Sequence, residues 1–264
     1  MHDYDFALSR ADDSAHGALI DVRDEVLEAC QIYDLLEGNP GSVAPLEISD
    51  DAKKALHDNF KLTQKRRFLS VLRDEAMKLT YKGLCPMCCS AQVKDLDHYL
   101  PRSLYPEFSL LSLNLVPICS RCNGTKRSKI GTVGERFFHA FYDALPEDSP
   151  ALRVDLLFES RGVKAEFSVN PALPTDRFKL VEYHFDKLEL SEHYSVLASQ
   201  ELVERLQALD KTFIVEGPDG VGEFADDQSD WIRRKFGFHH WKAALYDAAK
   251  VDKRFLEGGF RVIS

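Results

Sequence analysis

Residues 84–131 read LCPMCCSAQVKDLDHYLPRSLYPEFSLLSLNLVPICSRCNGTKRSKIG, framed by Cys85-Pro-Met-Cys88 and Cys119-Ser-Arg-Cys122. A thiolate pair at this spacing spans adjacent corners of a tetrahedron, so two such pairs in one segment predict a zinc site. Four thiolates leave no open position for water, so the expected ion holds the fold and performs no chemistry. Cys89 is a surplus thiol that could replace Cys88, although the symmetric spacing favours Cys88. Cys30 reads as a small hydrophobe on a helix.

Between the knuckles lies Asp95-Leu-Asp97-His98-Tyr-Leu-Pro101-Arg102-Ser103. A purely structural zinc ribbon has no use for an adjacent acid and imidazole, whereas phosphodiester hydrolysis does. It needs a base for the attacking water and a hard cation at the phosphate oxygens and the departing alkoxide. Histidine titrates near neutrality and suits the first task; a carboxylate suits the second. Neighbours on a strand point to opposite sides, but at a strand end both can flank one phosphate. Cys119 and Cys122 are expected to open a helix that carries Asn123, a neutral oxygen ligand, and Lys126 one turn later. Asn114 is placed to pin the loop from Pro101 to Leu113 through its backbone.

The ordered set C-x₂-C, D-H-x-x-P and N-L-x-x-x-C-x-x-C-N-x-x-K resembles the HNH endonuclease family. That resemblance implies a two-strand, one-helix ββα-metal finger over Leu84 to Gly131 within an α+β, mostly helical chain. It implies His98 as general base, Asp97 as a ligand of the catalytic metal and Asn114 as the loop-fixing residue. Asn123 stands where the family often has a metal-ligating histidine, and an Asp/Asn donor pair suits Mg²⁺ or Mn²⁺ better than Zn²⁺. Cys85, Cys88, Cys119 and Cys122 match the structural zinc ligands of the zinc-containing branch. The segments DHYLPRSLYPEFS, FFHAFYDALPEDSPALRVDLLF and HFDKLELSEHYSVLASQEL also resemble the HNH component of Septu-type bacterial anti-phage systems, which works beside an ATPase.

Around this segment the chain of 264 residues separates into three regions: 1–48, a helical arm; 49–132, a helix plus the finger; and 133–264, an α/β accessory region. A helix is expected from Gly17 to Leu36, with Leu19, Val22, Val26, Cys30 and Tyr33 on one face. The GNPGSVAP stretch at 38–45 reads as a linker. A long helix is expected from Ser49 to Lys82, with Phe60, Phe68, Leu72, Ala76 and Leu79 as its buried stripe. ERFFHAFYDAL reads as an aromatic-rich helix, and Val154 to Val169 as a β-hairpin turning at Arg161–Gly162. Helices follow over Arg177 to Phe185, Ser191 to Leu209 and Asp230 to Phe255, the last two separated by a flexible GPDGVG turn.

Net charge is −9. From Cys85 to Gly131 six Lys/Arg stand against three acids, a balance of +3 that leaves −12 elsewhere. Such an acidic body repels a phosphate backbone, so a protein partner is expected to supply part of the nucleic-acid surface, and the Septu resemblance implies that it is an ATPase. Arg102, Arg121, Lys126 and Arg127 are the candidate phosphate contacts. For Lys126, Arg127 and Lys129 a solvated helix C-terminus competes with that role. Lys65–Arg66–Arg67 reads as a solvated helix face. His239 and His240 are adjacent on a helix, about 100° apart, and do not share an ion; His184 and His193 also stand outside any metal-binding spacing. DNA is the expected substrate and RNA, including tRNA, the runner-up; a non-catalytic zinc-stapled binding module is the alternative outside enzymes. No apolar run spans a bilayer and the first residues, MHDYDFALSRADD, lack a leader pattern, so a cytoplasmic protein is expected.

Overall fold

A computed structural model describes residues 2–9, 11, 13–160 and 162–262. The chain is mostly helical, with two two-stranded antiparallel sheets, and divides into two compact units, Met1–Asp143 and Ala144–Ser264. Among the described residues no helix is long and apolar enough to cross a membrane.

The first unit begins with α1 (His2–Leu8), α2 (Asp13–Asp21) and α3 (Arg23–Leu35). Tyr4, Leu19, Val22 and Val26 form a core with Ala52 and Leu56 of α4 (Asp50–Asn59), so the N-terminal arm belongs to the same unit as the cysteine segment. The apolar face expected over 17–36 is present on two helices meeting at Val22, with Cys30 half-buried beside the core. Asp50 and Asp51 occupy the first turn of α4, where the helix dipole favours acids, and the Ser49 hydroxyl caps Ala52 N.

The single helix expected from Ser49 to Lys82 is instead broken. After Asn59 the chain tightens into a 3₁₀ turn, Phe60–Thr63, where the Thr63 hydroxyl donates to Phe60 O, and Arg66 adopts φ 66°. A left-handed residue cannot continue an α-helix. The remainder, α5 (Ser70–Lys78), buries no residue, and Phe68 and Leu79 are exposed rather than part of a stripe.

Two short strands follow, β1 (Asp95–His98) and β2 (Leu115–Ile118), pairing Asp97 with Val116 and His98 with Leu115. Then comes α6 (Ser120–Lys126). ERFFHAFYDAL is not a helix. Arg136 turns back to grip the Asp143 carboxylate, whose Oδ2 also accepts His139 N–H, and these side-chain bonds replace the helical ladder. Gly131, at φ 99°, pairs with Arg136, and a Cβ there would stand 2.2 Å from Glu135 O.

The second unit is a hairpin against helices. Strands β3 (Leu152–Glu159) and β4 (Gly162–Val169) pair Val154 with Phe167 and Phe158 with Val163, the register the alternation implies; Arg161 of the expected turn lies outside the described residues. Helices α7 (Thr175–Lys187), α8 (Leu190–Phe236), α9 (Trp241–Ala249) and α10 (Lys253–Leu256) complete it. Phe167 meets Tyr194 edge-on at 5.5 Å, and Tyr194 stacks on Trp241 at 5.8 Å. GPDGVG does separate two helical stretches, but as a sharp kink at Gly217 within α8 and not as a flexible turn. Gly217 takes φ 69°, Pro218 restarts the helix, and Gly220 and Val221 are already buried. The helix expected from Asp230 to Phe255 is interrupted at Gly237, φ 100°.

Candidate functional site

The Sγ atoms of Cys85, Cys88, Cys119 and Cys122 all lie within 4.8 Å of one another, and all four residues are buried. A tetrahedral zinc with bonds of about 2.3 Å sets its sulfurs roughly 3.8 Å apart; Cys88 and Cys119 stand at 3.9 Å. Four buried thiols this close can hold a metal ion such as zinc. Local sequence builds each knuckle. Cys89, at φ 50°, closes a turn by donating its N–H to Cys85 O, and Cys119 caps α6, its Sγ accepting Cys122 N–H at 3.4 Å. Cys89 itself is exposed and outside the cluster.

Asp97 and His98 end β1 beside this cluster, on opposite faces of the strand. His98 is only 4% exposed. Its Nε2 lies 3.0 Å from Ser109 O, and Phe60 meets its ring edge-on at 4.5 Å. A carbonyl only accepts, so Nε2 carries the proton and Nδ1 keeps its lone pair. Burial pushes the imidazole pKa down to about 4, the hydrogen bond to Ser109 O and then the nearby Asp97 charge offsetting only part of this. The ring is therefore a neutral base at physiological pH.

Lys126 is not at the surface. It is 2% exposed, with Nζ 2.9 Å from Asp97 Oδ2 and donating to His98 O at 2.7 Å. It fastens α6 to the end of β1, which removes it from the candidate phosphate contacts. Despite that proximity, Asp97 Oδ2 is buried and receives no hydrogen bond of good geometry. Asn123 sits half-buried on α6, the helix that also carries Cys122.

Asn114 is fully buried and pins the loop. Its Oδ1 accepts Leu100 N–H at 2.7 Å and the Tyr33 hydroxyl at 3.1 Å, while Nδ2 donates to Leu100 O and Phe108 O. Tyr33 in turn lies 3.0 Å from His139 Nε2, and His139 Nδ1 accepts Phe141 N–H. Sequence reasoning missed Tyr33, His139, Ser109 and the buried role of Lys126. Nothing in their spacing marks them, because their partners are 11 to 106 residues away.

Among the remaining candidates, Arg102 donates Nη1 to His57 O and lies over the Phe60 ring at 4.9 Å. Arg127 and Lys129 are exposed and donate to Gly124 O and Thr125 O at the end of α6. Arg121 is half-buried on the first turn of the same helix. His239 and His240 are separate structural groups. The first accepts Ala151 N–H, and the second caps α9 by accepting Lys242 N–H.

With this geometry in place, comparison adds one relative. The chain is similar to protein ea31 of Escherichia phage lambda, 26% identical over 199 residues that cover 66% of this chain and 64% of the phage protein. The match thus spans less than two thirds of that protein, and its name specifies no activity. No family model matches the chain. No solved structure matches it.

Proposed function

We propose that this chain is a metal-dependent HNH-type endonuclease that hydrolyses phosphodiester bonds of DNA, acting in bacterial anti-phage defence beside an ATPase partner. The observation that carries the reading is the His98 imidazole, neutral and locked by Ser109 O with Nδ1 unprotonated, one residue from the Asp97 carboxylate. In this reading β1, β2 and α6 are the ββα finger, and the cysteine cluster holds structural zinc. His98 takes the proton of the attacking water at Nδ1 while Nε2–H stays on Ser109 O. Asn114 keeps the loop after β1 in place and so fixes where Ser109 presents that carbonyl. Asp97 and Asn123 would hold a hard cation, a carboxylate and a neutral amide oxygen being the donors Mg²⁺ or Mn²⁺ takes. When bound, such an ion supplies charge stabilisation at the phosphate and leaving oxygens. The defence role and the partner rest on the segment resemblances and on the acidic balance outside the finger.

A second reading has its own observation. The Lys126 ammonium already neutralises Asp97 within the fold, as suits a zinc-stapled nucleic-acid-binding module with no chemistry. Incubating the purified protein with DNA and with RNA, with and without Mg²⁺ or Mn²⁺, separates the readings. DNA cleavage that needs the added cation supports the nuclease. Binding without cleavage supports the module, and cleavage of RNA alone replaces the substrate.

A further inference from the structure

Arg102 carries five N–H donors, and among the described residues only one, Nη1, is used, on His57 O. The guanidinium is held in place by that bond and by Phe60 beneath it, so its remaining donors are presented in a fixed direction. They open on a cleft of about 1060 Å³ lined on one side by the 44–48 segment, on another by Lys53, Lys54 and His57 of α4, and closed by Ser103, Leu104 and Pro106. Leu46 N–H is anchored on the buried Glu107 carboxylate, which fixes the segment that forms the far wall. Lys53 and Lys54 are exposed, and neither forms an ion pair among the described residues. In a chain of net charge −9, two unpaired ammonium groups lining the same cleft as an anchored guanidinium are a concentrated positive site. Glu47 is the one acid on the cleft lining.

We infer that this cleft is the track for the substrate's sugar-phosphate backbone, with Arg102 taking one phosphate oxygen pair and Lys53 and Lys54 the neighbouring phosphates. The inference rests on the nuclease reading, and it gives that site a binding surface outside the cysteine segment. The four-residue step from His98 to Arg102 joins the two. It also revises the phosphate footprint, since buried Lys126 leaves it and two α4 lysines enter. A planar guanidinium flanked by flexible ammonium groups matches consecutive phosphates and reads no base, so the cleft contributes affinity without sequence preference.

The test compares the wild-type chain with Lys53→Gln/Lys54→Gln and with a control, Lys211→Gln/Lys253→Gln, of equal net charge in the second unit. Binding to a duplex DNA probe is followed by fluorescence anisotropy across a salt series with no added divalent cation, and cleavage is followed with Mg²⁺ or Mn²⁺. Each phosphate contact contributes about 0.9 to the slope of log K against log salt. The α4 variant is expected to flatten the slope by about 2 and to cut more slowly at substrate concentrations below saturation, while the control keeps the wild-type slope. Wild-type cleavage with the slope unchanged in the α4 variant, or changed equally in the control, overturns the cleft and leaves the nuclease reading standing. A wild-type chain that neither binds nor cuts overturns both, and one that binds with the expected slope change but does not cut keeps the cleft and removes the nuclease.

Discussion

In residues 84–131 the buried interior mixes a few apolar side chains, Leu100, Phe108, Leu115 and Ile118, with polar or metal-binding groups: His98, Asn114, Lys126 and four thiols. In residues 144–264 the corresponding positions belong to Leu202, Leu209, Val221, Ala225, Leu245 and Phe255, with Glu201 held by Tyr246, Lys242 and Arg205. A segment of fewer than fifty residues has too little apolar surface to fix its own geometry, so it relies on directional bonds. The accessory unit relies on area removed from water. Directional bonds hold single atoms in place, which an active site needs; apolar packing tolerates exchange of side chains of similar volume.

The largest expected effect comes from the thiols. Cys85→Ser or Cys119→Ser should abolish cooperative folding of the first unit, because structural zinc contributes roughly 10–16 kcal/mol in small zinc domains. Zinc content and soluble folded yield measure this, and a variant that folds normally without metal breaks the comparison. In the second unit, Phe167→Ala should cost about 3–5 kcal/mol through the cavity it leaves, read as a lowered unfolding midpoint. Asn114→Ala should cost the first unit about 3 kcal/mol, since it leaves Leu100 N–H, Leu100 O and Phe108 O buried without their partner. A loss below about 1 kcal/mol would show the loop to be fixed by packing instead, given that a typical net hydrogen bond contributes that much.

The smallest expected effect is on pH. Burial pushes His139 down to about 4, so the unfolded chain binds its proton first as pH falls. The stability tied to neutral His139 is complete above about pH 6.5 and is lost progressively as pH drops toward 4, by on the order of 2–3 kcal/mol. Denaturant unfolding at pH 7 and pH 5 measures it, and His139→Gln should flatten the dependence.

The four-cysteine cluster was legible because its pairing is written in local spacing. The β3–β4 hairpin was legible because alternation sets register. The 49–82 region was not, since Thr63, Arg66 and the burial of Phe60 against His98 are tertiary matters that a helical pattern hides. Lys126 looked like an exposed cation at a helix end, and only the closure of α6 on β1 showed that it belongs inside. The 136–143 turn deceived the periodicity for the same reason, its Arg136–Asp143 pair replacing backbone bonds.

The central claim is that His98 acts as a base held by Ser109. It is tested most directly by comparing DNA cleavage by the wild-type chain and His98→Ala in Mg²⁺ or Mn²⁺, with zinc content and unfolding midpoint measured on the same samples. General-base catalysis contributes about 10²- to 10⁴-fold, so the variant is expected to lose cleavage by that factor while retaining zinc and fold. Cleavage by His98→Ala at the wild-type rate would contradict the account.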